Sequence, residues 1–171
     1  MPRSLSPEFQ EALKARALFP VYLVSIYGKA KADVSVDVIK HYITYSESVS
    51  VKMINPRTNV EETRVFEGNN NLLSVGKMDI RSGLSLSSMT MRVAIGDPLT
   101  GPLDYSTPYG LVRNANVNQC HVEVFFGLMS NAGSVLLDVP QRLFLGQLDG
   151  VSAIQGGDAV SYTHLTLPTK A

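Results

Sequence analysis

Residues 119–154 constrain the fold more than any other stretch. Cys120, Val122, Val124 and Phe126 fall on one phase of a two-residue alternation, and His121, Glu123 and Phe125 fall on the other. Successive side chains of a strand leave on opposite faces, so this run predicts a β-strand. Residues 130–133 carry hairpin-turn chemistry, and 135–137 and 142–145 follow as further apolar runs. Gly146 and Gly150 flank Gln147-Leu-Asp149, where glycine marks a bend or a close backbone approach. The segment predicts scaffold, since it holds no nucleophile pattern, metal cluster or phosphate loop.

The rest of the chain extends the pattern. Ser6, Pro7 and Glu8 supply a cap, a first helical residue and an acid at the positive end of a helix dipole. With Phe9, Ala12, Leu13 and Ala17 at helical spacing they predict a helix to about Ala17, closed by Pro20. Residues 21–27 are β-branched or aromatic except for Ser25, which predicts a strand covered on both faces. A loop is expected at 28–32, then strand character from Val34, Val36 and Val38 through Tyr42 to Tyr45, and again at Val49, Val51 and Met53. Residues 55–71 are rich in Glu and Asn, and are expected to form an excursion outside the core.

Strand character resumes at 72–80. In 84–95, Leu84 and Leu86 occupy one phase while Met89, Met91, Val93 and Ile95 occupy the other. A shift at Ser87-Ser88 is what a β-bulge leaves in a sequence. Residues 96–102 read as a turn, 109–112 as a short helical turn and 114–118 as a loop, with the chain re-entering the sheet at Cys120. The fold class is therefore mainly β, an antiparallel barrel or sandwich with an N-terminal helix, and 171 residues fit one domain.

Chemistry is hard to find. Fifteen basic residues balance fifteen acidic ones, so no global field draws the chain to nucleic acid or an anionic membrane. No stretch is apolar and long enough to span a bilayer, which implies a soluble chain. The single cysteine, Cys120, excludes an intrachain disulfide and reads as an inert core thiol. His41, His121 and His164 lack metal-ligand spacing. Ser82, Ser85, Ser87 and Ser88 sit along a β stretch with no nucleophile elbow, and residues 96–101 lack the Lys-Ser/Thr of a phosphate loop. Asp138, Asp149 and Asp158 read as loop carboxylates; Met78, Met89, Met91 and Met129 could line an adaptable surface, but alternation assigns the central ones, Met89 and Met91, more simply to packing. No catalytic, cofactor-binding or metal residue is predicted, and no enzyme activity.

The order of these elements nevertheless resembles a known family. A Leu5-Ser-Pro-Glu-Phe9 helix leads into Leu18-Phe-Pro-Val21. Then come Leu72-Leu-Ser-Val-Gly-Lys77, the run 84–96, and the hairpin 122–154 with Leu143-Phe-Leu-Gly-Gln-Leu-Asp149. Over residues 1–160 this is similar to the N-terminal part of bacteriophage tail-tip or baseplate-hub structural proteins, the distal tail protein family. The resemblance implies a tail-tube-like β domain, assembled as a trimeric or hexameric ring in the virion tail after synthesis in the host cytoplasm. The ring would join the tube and tape measure to a central fibre or receptor-binding proteins, without sequence-specific contact to nucleic acid. Residues 55–71 and 96–118 are the expected contact segments. Two rival expectations are a carbohydrate- or ligand-binding β-sandwich module, against which the absence of Trp weighs, and a hydrolase using Asp138 or Asp149. Residues 161–171, Ser-Tyr-Thr-His-Leu-Thr-Leu-Pro-Thr-Lys-Ala, resemble translated adapter sequence, so the natural chain is expected to continue differently after about Ser161; the rival expectation is a genuine C-terminal extension.

Overall fold

Strand β1 (Phe19–Ala30) is apolar on both phases of its alternation, and both are buried: Val24 and Ile26 on one face, Val21 and Leu23 on the other. A strand of this kind needs a layer on each side. It lies in a computed structural model that describes residues 7–15, 19–55, 58–68, 72–76, 88–94, 110–111, 115–130, 135–149, 152–153 and 159–166. Ahead of it is helix α1 (Pro7–Ala15). On one side β1 pairs β2 (Asp37–Ile43), and the two pairings lower in the chain are the hairpin β3 (Val49–Ile54) with β4 (Glu61–Phe66) and β5 (Leu72–Val75) with β6 (Ser88–Ala94). On its other side β1 pairs the long β7 (Ala115–Met129), followed by β8 (Gln141–Leu148), β9 (Ser152–Ala153) and β10 (Ala159–Thr166).

All these ladders are antiparallel. The main sheet runs β2-β1-β7-β8-β10-β6-β5, with β9 beside β10, while β3 and β4 form a sheet of their own. One core joins Val24, Ile26, Tyr42, Val122, Val124 and Phe144 to Leu72, Met89, Met91 and Val93 from the far end of the same sheet. The sheet therefore curls until its two ends share an interior, although among the described residues the ladder does not close into a barrel. The β3–β4 hairpin covers the other face. Its inner residues Val49, Val51, Met53 and Phe66 pack on Val21, Leu23, Ile43, Phe125 and Met129. An isolated two-stranded hairpin is marginal in water, and at about 1.5–3 kcal/mol per buried apolar side chain this contact is what keeps it folded. A parallel bridge from Tyr42 to Glu67 fastens it to the edge of β2: Ile43 N–H donates to Glu67 O at 3.1 Å, and Glu67 N–H donates to His41 O at 2.8 Å.

The mainly antiparallel β class with a short N-terminal helix is as the sequence predicts, and three local expectations are corrected. Residues 55–71 do not stay outside the core, because Arg64 and Phe66 of β4 are buried; charged neighbours at Glu61 and Glu62 hide the alternation. The sheet is re-entered at Ala115 rather than Cys120: Ala115 and Val117 alternate inward between asparagines, and Gln119 at φ 58° absorbs the register shift opposite Gly28. Val34 and Val36 belong to the exposed β1–β2 turn, with Val34 70% exposed, so their alternation with Val38 is accidental. Gly110 and Leu111 are helical, as expected for that turn. The predicted bulge partner Ser87, residues 131–133 of the predicted turn, Gly150 and most of 96–114 lie outside the described residues. β10 runs through the junction at Ser161 and pairs β6 from Ala159 to Thr166.

Gly68 shows how tightly the hairpin is anchored. A Cβ there would stand 2.6 Å from the backbone at Ser46 and Glu47, the segment that leads into β3. Backbone cannot swing aside as a side chain can. Gly68→Ala is expected to lower stability by about 1–3 kcal/mol, read as a fall in urea midpoint by circular dichroism.

Candidate functional site

Polar side chains on the hairpin-covered face of the main sheet collect in one cross-strand row. Register places His41 of β2 beside Ser25 of β1, Ser25 beside Glu123 of β7, and Glu123 beside Leu145 of β8. The next row outward, Ile39, Tyr27, His121 and Gln147, extends beyond the hairpin's apolar contact. Arg64 of β4 descends onto the polar row from above. Ser25, Arg64 and Glu123 are the three buried polar or charged residues among those described, at 0%, 2% and 1% exposure.

Their bonds converge. Arg64 Nη1 donates to Glu123 Oε2 at 2.8 Å and to Ser25 Oγ at 3.4 Å, and its Nε donates to Glu62 Oε1 at 2.5 Å. Tyr27 O–H donates to the same Glu123 Oε2 at 2.6 Å, while Arg142 reaches Glu123 Oε1 at 3.4 Å from the solvent side. Asn55 Nδ2 donates to Glu62 Oε2 at 2.8 Å, and His41 Nδ1 lies 2.8 Å from Ser25 Oγ. The Arg64 guanidinium carbon sits 5.8 Å from the Tyr27 ring centre and 6.0 Å from that of Phe125, within cation–π range, and Nη2 has no hydrogen-bond partner. Two guanidinium charges, Arg64 and Arg142, thus meet two carboxylates, Glu62 and Glu123.

Burial and bonding move four of these groups, Tyr27, His41, Glu62 and Arg64, each in the direction that keeps it in one protonation state at neutral pH. Burial works against the Arg64 charge, but its bonds to Glu123 and Glu62 outweigh that and raise its pKa further. Burial also pushes the Glu62 carboxyl up, and the bonds from Asn55 and Arg64 more than reverse it. The Tyr27 phenol is raised, first by burial and then by its bond to Glu123. The His41 imidazole is pushed down to about 4 by burial and then by the Arg64 charge, against the pull of Glu62 and Glu123. Every charge is answered from inside the cluster, so the arrangement acts as a fastening between hairpin and sheet.

Of the residues weighed in the sequence for metal binding or catalysis, His41 alone belongs to this cluster. His121 lies exposed in β7, and His164 falls in β10, where only the backbone is described. Cys120 is buried, and burial pushes its thiol up to about 12, so it stays protonated. Asp138 accepts the Val139 N–H at 2.7 Å in a turn and Asp149 is exposed after β8, so the structure does not bring them to one place; Asp158 is outside the described residues. Met89 and Met91 lie in the first core and Met129 in the second, while Met78, Ser82, Ser85 and Ser87 are outside the description. Among the described residues no group of three His, Cys, Asp or Glu could hold a metal, and no helix is long and apolar enough to cross a membrane. No family model matches the chain, and no curated protein matches it.

Sequence reasoning missed Arg64, Glu123, Ser25 and Tyr27 as a set. Their signal is faint but real: Ser25 interrupts an apolar run in β1 and Glu123 interrupts one in β7, so both must be buried with partners. Nothing in the sequence names Arg64 as that partner.

Proposed function

We propose that this chain is a non-enzymatic structural subunit of a bacteriophage tail tip or baseplate hub, which works by assembling into a ring through the ends of its main sheet. The observation that carries the assembly part is the edge that β2 presents at one end of the main sheet; the far end, β5, joins the path only through Leu165 and Thr166, past the junction at Ser161. Two unlike edges pairing between neighbours make a heterologous contact, and such contacts close into rings when the rotation permits. The β2 edge is suited to this over its first half. The Glu67 bridge engages the outward C=O of His41 and the outward N–H of Ile43, so by alternation Ile39 also directs its N–H and C=O away from β1. No described strand covers that side of Ile39. The tail assignment itself rests on the order of elements in the sequence, with the tube, tape measure and central fibre as neighbours.

Ile39→Pro removes one outward N–H from that edge without touching the β1 ladder. Sedimentation of the parent protein is expected to show association that rises with concentration, and the I39P protein is expected to stay monomeric with an unchanged circular dichroism spectrum. A parent protein that is monomeric at every concentration and missing from purified virions would sink the proposal. Association that survives in I39P would remove β2 from it.

A further inference from the structure

The polar row lies where the hairpin meets the sheet, and His41 is the member whose bonding changes when it takes up a proton. With neutral imidazole, the Ser25 hydroxyl can donate to His41 Nδ1 across 2.8 Å while Arg64 Nη1 donates to the same Ser25 oxygen at 3.4 Å. A proton on Nδ1 makes it a donor, so two cations then donate to one small hydroxyl. The groups around His41 come from every element packed on it. Ser25 and Tyr27 belong to β1, Lys40 to β2, Glu62, Arg64 and Phe66 to β4, and Glu123 to β7. Glu123 already accepts from Arg64, Tyr27 and Arg142, Glu62 from Arg64 and Asn55, and Lys40 is paired with Glu67 at 3.1 Å. An imidazolium here meets the Arg64 guanidinium with its natural counter-charges already engaged.

We propose that the β3–β4 hairpin is a latch loosened by mild acid, with His41 as the trigger, while β1, β7 and β8 remain paired. Burial and the Arg64 charge hold the docked imidazole at about 4, against 6.5 for a free one. A lowered histidine pKa favours the docked form fully above about 6.5, and that advantage is lost as pH falls from 6.5 to 4. From about pH 7.5 to about pH 5 the opening equilibrium rises about thirtyfold. The Glu62 carboxyl, held below its ordinary range by the bonds from Asn55 and Arg64, acts below that window. Burial of Val49, Val51, Met53 and Phe66 still favours docking, so acid raises the population of a minor open form and does not release the arm outright.

The test is hydrogen exchange by mass spectrometry on the full chain at about pH 7.5 and about pH 5, each corrected for the chemical exchange rate at that pH. Amides of residues 49–54 and 61–66 are expected to lose about thirtyfold in protection while those of β1 and β7 keep theirs, and His41→Gln is expected to abolish the difference. Equal loss in β1 and β7, a hairpin indifferent to pH, or a response that survives in H41Q overturns the proposal. Should H41Q fail to fold, an NMR titration of the His41 imidazole in the parent protein decides: a midpoint well below 6.5 supports the latch, and one at or above 6.5 overturns it. The inference is independent of ring formation.

Discussion

Arg64→Ala is expected to cost about 3 kcal/mol of stability, because removing one partner of a buried ion pair leaves the other charged and unanswered. Glu123 would keep only the Tyr27 hydroxyl at 2.6 Å and Arg142 at 3.4 Å. Arg142 is 44% exposed and can swing inward to offset part of the loss, which places the effect at the low end of the usual 3–5 kcal/mol for a broken buried pair. Urea unfolding followed by circular dichroism measures it, since the chain contains no Trp. Charge, more than the contact itself, is what the loss reports. Arg64→Met combined with Glu123→Gln keeps an acceptor for Tyr27 and removes both charges, so this double variant is expected to recover at least half of the loss. If the double variant is as unstable as Arg64→Ala, the stability comes from the shape of the guanidinium between the Tyr27 and Phe125 rings.

What the pair specifies is where the hairpin sits. A slip of one residue in β4 would turn Arg64 and Phe66 outward and bring Val65 in, so Arg64 reaches Glu123 in one register only. That is also why the class of fold was legible and this site was not. Alternation in residues 120–126 gave β7 with its faces assigned correctly, and the doubly apolar run 21–27 gave β1 as a shared strand, since both signals are local. The partnership of Arg64 with Glu123 spans 59 positions and is created by the hairpin folding across the sheet. Glu61, Glu62 and Thr63 around it make β4 look like a solvated loop, and the inward phase of β4 is itself mostly charged. His41 was visible as a histidine in a strand, but its role depends on Ser25 opposite and Arg64 above, which only tertiary structure supplies.

Phe66→Ala tests whether hairpin and sheet unfold as one unit. The side chain is fully buried, its ring 5.3 Å from that of His41 and 6.5 Å from that of Phe125, and its truncation is expected to cost about 3–5 kcal/mol in lost transfer energy and cavity. Four inner residues of the hairpin contribute on the order of 6–12 kcal/mol of burial before the entropy of ordering two strands is subtracted, so the net docking energy is only a few kcal/mol. The truncation therefore removes most of it. The expected result is a protein whose sheet is intact and whose hairpin is undocked: amides of 49–54 and 61–66 exchange freely, β1 and β7 stay protected, and the urea m value falls because less surface remains to be exposed. Phe144→Ala makes the same deletion in the other core, which joins both ends of the main sheet, and it should lower the midpoint with m unchanged. Should Phe66→Ala behave like Phe144→Ala, with m unchanged and protection lost everywhere together, the hairpin would be cooperative with the sheet. An acid-loosened latch at His41 would then have no separate unit to move.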